Sequence, residues 1–173
     1  AETAMAEGLD VKASEVKGMA QRGGSVLSTV RFGRNVYSPV ARHADLVFAT
    51  ELLEGLRGLD CLAPRGTLVC ATTRILPGSV LRGEAAYPDE LAAAAATRGV
   101  RLILLDAETL THEVGNERTA NIVLLGASSF ALPFAPESWD RGLAAAVPAK
   151  ILDVNRRAFA LGRDAGAGQE MHQ

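Results

Sequence analysis

Cysteine is almost missing from this 173-residue chain: Cys61 and Cys70 are the only two, both in apolar surroundings. Two thiols cannot ligate a four-cysteine iron–sulfur cluster, so if the protein serves a redox enzyme, the electron carrier lies elsewhere. The pair reads as buried, reduced thiols, with a disulfide as an unsupported alternative. Histidine is scarce as well. His43, His112 and His172 stand at no metal-ligand spacing with a cysteine or with one another. His43, close to Asp45, reads as a surface-turn residue. There is no Walker loop, and no Ser-His-Asp arrangement can be argued from spacing alone. Charge of one sign is lacking too. The net charge of −2 argues against a general nucleic-acid binder, which carries a basic face, and leaves room for a local basic patch. No apolar run approaches the ~20 residues that span a bilayer. The acidic opening, Ala1 to Glu7, has neither the basic nor the apolar region of a signal peptide. The expectation is a soluble cytoplasmic chain with no membrane or nucleic-acid partner.

What is present is apolar. Hydrophobic residues make up 48% of the chain, enough for one well-cored domain. Its order is strand, helix, strand. Ala1 to Glu7 reads as the tail of a helix stopped by Gly8, and Val11 to Val16 as a strand. Ser25 to Gly33 alternates as a strand with one better-buried face. Asp45 to Thr50 is a short continuous apolar run, as in a strand buried on both faces of a parallel sheet. Thr50 is placed to cap a helix carrying Glu51, Glu54 and Arg57. Leu62 to Gly66 reads as a turn, Thr67 to Thr73 as a strand, and Asp89 as the cap of an alanine-rich helix from Glu90 to Thr97. Val100 to Leu105 is another strand. Helices are expected over Ala107–Val114, Ile122–Ala127, Glu137–Val147 and from Pro148 onward. In the last of these Ile151, Val154, Ala158 and Leu161, widened by Phe159, form an apolar stripe. The alternation predicts an α/β, Rossmann-like three-layer sandwich with a mostly parallel sheet. One domain is expected over residues 1–162, followed by a polar tail over 163–173 that is mobile or docked on a partner.

Three places carry candidate chemistry. Lys17 to Val26 contains Gly18, Gly23 and Gly24 with Met19, Gln21, Arg22 and Ser25. It is a glycine-rich turn whose bare backbone and arginine suit an anion, a phosphate or a partner's backbone, or an ordinary surface turn. Glu51, Glu54 and Arg57 follow a strand end, where open α/β sheets bind ligands. They are equally a capped helix with a surface ion pair. Asn116 and Asn121 flank the helix at Ile122 as caps, or as amides fixing a loop or ligand.

The run Gly18-Met19-Ala20-Gln21-Arg22-Gly23-Gly24-Ser25-Val26, followed by Val30-Arg31-Phe32-Gly33, resembles the signature loop of the gamma subunit or domain of 2-oxoacid:ferredoxin oxidoreductases. Within that family it is most similar to the small subunit of the indolepyruvate branch. The resemblance continues through Glu51 to Arg57, Tyr87-Pro88, Asn116 to Gly126 and Asn155 to Gly162. It implies a first strand and a glycine-rich turn before residue 1 that this sequence does not show. It also implies a multi-subunit enzyme that converts a 2-oxoacid to an acyl-CoA and passes electrons to ferredoxin or a similar acceptor. Thiamine diphosphate and 4Fe-4S clusters are implied on a large catalytic subunit. The long acidic-glycine-asparagine signature of thiamine diphosphate sites is absent from this chain, so no cofactor is expected on it alone. Its implied role is assembly and coenzyme A handling. The alternative is a stand-alone Rossmann-like nucleotide- or CoA-binding module.

Overall fold

The computed structural model describes residues 1–17 and 25–170, with nothing said of the Glu170 side chain. The chain divides into two compact units, Ala1–Arg42 with Pro133–Arg156, and His43–Leu132 with Arg157–Gln173.

In the first unit, α1 (Glu2–Ala6) ends at Gly8, whose φ of +75° is the left-handed conformation that suits glycine after a helix. α1 packs on α7 (Pro136–Ala146), which starts with its proline in the first turn. The contact is close because Gly142 faces Thr3, and a Cβ at Gly142 would overlap the Thr3 hydroxyl. Strands β1 (Asp10–Lys17) and β2 (Val26–Gly33) form an antiparallel pair with Asp10 opposite Gly33 and Lys17 opposite Val26. Its base is anchored by aromatic contacts: Phe32 lies 5.1 Å from Phe134, which meets Trp139 edge-on at 5.5 Å. Toward Lys17 and Val26 the expected buried face is missing. Val16, Val26, Leu27 and Val30 are all exposed. Alternation here marks the two sides of a ribbon without a core on either.

The second unit holds a parallel sheet in the order β3 (Ala44–Ala49), β4 (Leu62–Ala71), β5 (Arg101–Leu105). The buried centre is β4, in which Leu68, Val69 and Cys70 are fully shielded. β3 is an edge strand of this described sheet, and its Phe48 is 45% exposed, so the run read as buried on both faces is only partly so. The expected turn at Leu62–Gly66 is a bulge inside β4. The register with β3 shifts there, and Arg65 takes a φ of 63°. One face of the sheet, with Leu68 and Cys70, packs under α2 (Leu52–Gly58) and α4 (Leu91–Thr97). The other, with Val69, Ala71, Ile103 and Leu105, packs under α5 (Ala107–Val114) and α6 (Ala120–Ser128). The expected three-layer α/β arrangement is therefore present in this unit. A short helix, α3 (Gly78–Leu81), interrupts the loop after β4.

Local signals explain most boundaries. Asp106 caps α5 by accepting from the Thr109 amide, and Gly115 closes it at φ 79°. Two expected caps differ. Glu51, not Thr50, caps α2, because its carboxylate reaches the Glu54 amide at 2.9 Å. Asp89 does not cap α4, since its carboxylate pairs instead with Arg74 at 2.5 Å.

The last helix, α8 (Ala149–Glu170), runs through the stretch read as a polar tail. The buried residues of its second half are Ala158, Phe159, Gly162 and Gly166, whereas Ile151 of the expected stripe is 40% exposed. The cause is backbone proximity. A Cβ on Gly162 would overlap the Val123 carbonyl, one on Gly126 the Phe159 carbonyl, and one on Gly166 would stand 2.7 Å from Ala127 O. A helix pair this close selects glycine over the leucines of an ordinary stripe. Gly162→Leu is expected to lower stability by at least about 2–3 kcal/mol through forced separation of α6 and α8. Gly168→Ala, with open space around its Cβ, is expected to be neutral or stabilising by up to about 1 kcal/mol. Urea denaturation of the two variants checks the contrast.

Candidate functional site

The carboxyl ends of parallel strands are where an open α/β sheet presents its loops. Here they are tied together by one side chain. Glu51 follows β3 and is 4% exposed. One of its oxygens accepts from the Glu54 amide at 2.9 Å, and the other accepts from the Ile75 amide at 3.1 Å and from the Tyr87 hydroxyl. Tyr87 in turn accepts from the Leu53 amide at 3.1 Å, and the Leu52 amide donates to Thr73 O at 3.0 Å. Glu51 thus joins the start of α2, the loop after β4 and the loop before α4. Burial opposes its charge, but the hydrogen bonds from Tyr87 and the backbone amides outweigh it, so its carboxyl titrates below the ordinary range. Burial and then the Glu51 carboxylate push the Tyr87 hydroxyl up to about 12. Arg74 lies over the Tyr87 ring at 5.4 Å and pairs with Asp89. Sequence reasoning did not place Tyr87 among the site residues. Its signals were the extended step that a following proline imposes and the family resemblance at Tyr87-Pro88.

Beneath this pin, Gly55 lets α2 settle on β4, since a Cβ there would stand 2.6 Å from Cys70 Sγ. The Cys70 thiol donates toward Glu51 O at 3.5 Å. Burial, followed by the Glu51 charge, pushes it up to about 12. Cys61 is the other cysteine, free and half-buried. This donor set does not fit an iron–sulfur cluster. Among the described residues no group of three or more His, Cys, Asp or Glu is placed to hold a metal ion.

The other candidates lie as follows. Glu54 and Arg57 form an ion pair one turn apart on α2, both partly exposed. Asn116 caps a 3-10 turn (Glu117–Thr119) by accepting from the Arg118 amide at 3.1 Å. It lies on a depression of about 430 Å3 lined also by Thr111, His112, Gly115, Glu117 and Arg118. Asn121 is exposed in the first turn of α6. These asparagines belong to the α5–α6 layer, on the opposite face of the sheet from α2. Gly18, Met19, Gln21, Arg22, Gly23 and Gly24 lie outside the described residues, and Ser25 is exposed.

The chain is a layered α/β protein whose buried Glu51 carboxylate ties together the loops at the strand ends. Solved structures share the fold. One is the gamma subunit of a keto/oxoacid ferredoxin oxidoreductase from Geobacter sulfurreducens, with a TM-score of 0.69 at 21% identity over 97% of this chain and 87% of that one. Another is a 2-oxoglutarate:ferredoxin oxidoreductase from Magnetococcus marinus with 2-oxoglutarate, coenzyme A and succinyl-CoA bound. There the TM-score is 0.71 at 19% identity, over 96% of this chain but 27% of that longer one. The chain belongs to the pyruvate ferredoxin/flavodoxin oxidoreductase family, whose model matches residues 1–165. Similar curated relatives are both named indolepyruvate oxidoreductase subunit IorB. The Thermococcus kodakarensis protein is 38% identical over 92% of this chain and 82% of its own length. The Methanothermobacter thermautotrophicus protein is 34% identical over 96% of this chain and 87% of its own.

The pin sets a pH window. Because the Glu51 carboxyl titrates low in the folded state, the stability it contributes is fully present above the ordinary glutamate pKa of about 4.3 and is lost as pH falls through the lowered folded value. Tyr87 acts at the other end: its contribution is intact below about pH 10 and is lost as pH rises toward the folded value of about 12. Glu51→Ala strands three donors and is expected to cost about 2–4 kcal/mol at pH 7, with Tyr87→Phe costing about 1 kcal/mol. Thermal unfolding from pH 3 to 11 checks this. The acid limb should flatten in Glu51→Gln, and an unchanged limb would assign acid sensitivity to other groups.

Proposed function

We propose that this chain is the small subunit of an indolepyruvate-type 2-oxoacid:ferredoxin oxidoreductase in the cytoplasm, acting on an aryl-pyruvate. The observation carrying the reading is the identity to subunits named for indolepyruvate, sustained over more than four-fifths of those proteins. The overall reaction joins the 2-oxoacid anion and the thiol of coenzyme A to give an acyl-CoA, carbon dioxide and a proton. Two electrons leave for ferredoxin. Thiamine diphosphate supplies the decarboxylation chemistry and 4Fe-4S clusters the electron path, both on a larger catalytic subunit. That placement agrees with a donor set here that fits no cluster.

The chain's own work is assembly and the handling of coenzyme A, within a gamma-type domain over residues 1–162. Gly18 to Ser25 is proposed as the contact loop, with Gln21 and Arg22 donating to a phosphate or to the partner's backbone. Glu51 fixes the strand-end loops, and Glu54, Arg57, Asn116 and Asn121 are proposed as further contacts with ligand or partner. The second reading, a stand-alone nucleotide- or CoA-binding module, is favoured only by the α/β layering itself.

Co-expression with the larger subunit separates the two. The first reading expects a co-purifying complex, brown from iron–sulfur absorbance, that reduces ferredoxin with indolepyruvate and coenzyme A, while the small chain alone is colourless and inert. Arg22→Ala should weaken use of coenzyme A on the order of tenfold to hundredfold, the worth of one charge-assisted hydrogen bond. An isolated chain that binds coenzyme A tightly by calorimetry and joins no partner would replace the first reading with the second.

A further inference from the structure

Between β4 and α4 the chain makes an excursion whose two ends meet at one carboxylate. Glu51 accepts from the Ile75 amide at 3.1 Å and, on the same oxygen, from the Tyr87 hydroxyl. Beside them Arg74 pairs with Asp89 at 2.5 Å. The neck is thus tied twice, the arrangement of a compact surface loop with adjoining ends. Its interior is ordered as well. After α3 the Glu84 amide donates to Ser79 O at 2.9 Å and the Gly83 amide to Val80 O at 3.0 Å, with Gly83 at φ 72°. This helix stop holds the turn without help from any neighbour.

The crown of the loop is apolar and uncovered. Ile75 is 67% exposed, Leu76 45% and Leu81 69%. Single exposed apolar residues are normal, but three on one short loop mark a contact surface. The charges around them are already matched. From Arg74 to Asp89 the charged residues are Arg74, Arg82, Glu84 and Asp89. Arg74 pairs with Asp89, and Arg82 donates to both oxygens of Glu84 at 2.7 and 2.8 Å.

We infer that the loop from Ile75 to Ala86 is a docking lobe, and that it seats Leu76 and Leu81 in an apolar, uncharged recess of the larger subunit. The inference rests on the subunit reading proposed above. Charge selects the occupant. A phosphate or an acidic peptide calls for an unpaired arginine, and a lipid surface is met by apolar residues flanked with free lysine or arginine. Both arginines of this loop are held by carboxylates. A permanent subunit interface is apolar, with charge depleted at its centre. The tied neck and closed turn add to the match, because little conformational entropy is left to lose on docking. A second copy fits less well. Lobe against lobe sets two exposed crowns together, and lobe against any other face is a head-to-tail contact that closes no pair.

The test uses the co-expressed complex with Leu76→Lys, Leu81→Lys and the reversed pair Arg82→Glu with Glu84→Arg. The dissociation constant is read by sedimentation over a dilution series, with circular dichroism of each small chain confirming its fold. Each lysine should weaken the complex a hundredfold or more without changing the melting midpoint of the small chain. Leu81→Met should bind within threefold of the wild type, and so should the reversed pair. A wild-type complex that the lysines leave equally tight would overturn the lobe while the subunit reading stands. A wild-type chain that joins no larger subunit would overturn both. Binding lost on reversing the pair would overturn the uncharged recess. Self-association of the small chain that Leu81→Lys abolishes, or its cosedimentation with phosphatidylcholine vesicles, would overturn the larger subunit as occupant.

Discussion

The constraint on which the second unit depends is the distance between two helix backbones. α6 and the second half of α8 touch through Gly126, Gly162 and Gly166, where side chains would overlap carbonyl oxygens of the facing helix. Close packing of this kind gains dispersion contacts along the whole crossing and tolerates no added methylene. It also sets reach. Gln169 of α8 meets both backbone groups of Leu104 in β5 only because the helix has been brought so near. One spacing thus fixes the layer over β3 and β4 and ties α8 to β5.

The opposite face of the sheet is organised by a charge. Glu51 stands where the strand-end loops of an α/β sheet meet, and its position alone would suit binding or proton transfer. Its hydrogen bonds assign it other work. Three donors converge on a nearly buried carboxylate, and removing the carboxylate group would leave amides of α2 and of the loop after β4 without acceptors. A carboxylate so committed gives precision to the loops around it. A rigid rim of this kind lowers the ordering cost of anything that binds there.

The sequence disclosed the layering because its signals are local. Asp106 and Gly115 bracket α5 by capping and by a left-handed turn, and the apolar runs at Asp45, Thr67 and Val100 fall in the three parallel strands. What stayed hidden depends on partners far along the chain. Thr50 and Glu51 are both plausible caps; the choice is made by Ile75 and Tyr87, which lie 24 and 36 residues beyond Glu51. Asp89 is lost as a cap to Arg74. The glycines after Leu161 look like a tail in sequence, since glycine disfavours helices, and only the facing backbone of α6 explains them. The hairpin alternates as a buried strand does, yet Val16 and Leu27, paired across it, are exposed.

Cys70 gives the sheet a built-in clock. Its thiol is shielded by α2, hydrogen-bonded and held protonated up to about 12, and only the thiolate attacks an alkylating reagent. In the closed protein at neutral pH it is silent. Each time α2 lifts from β4 the thiol meets solvent with an ordinary cysteine's reactivity, so its labelling rate counts openings of that layer. The chain thus carries an intrinsic timer for the movement of one layer, read without adding any probe.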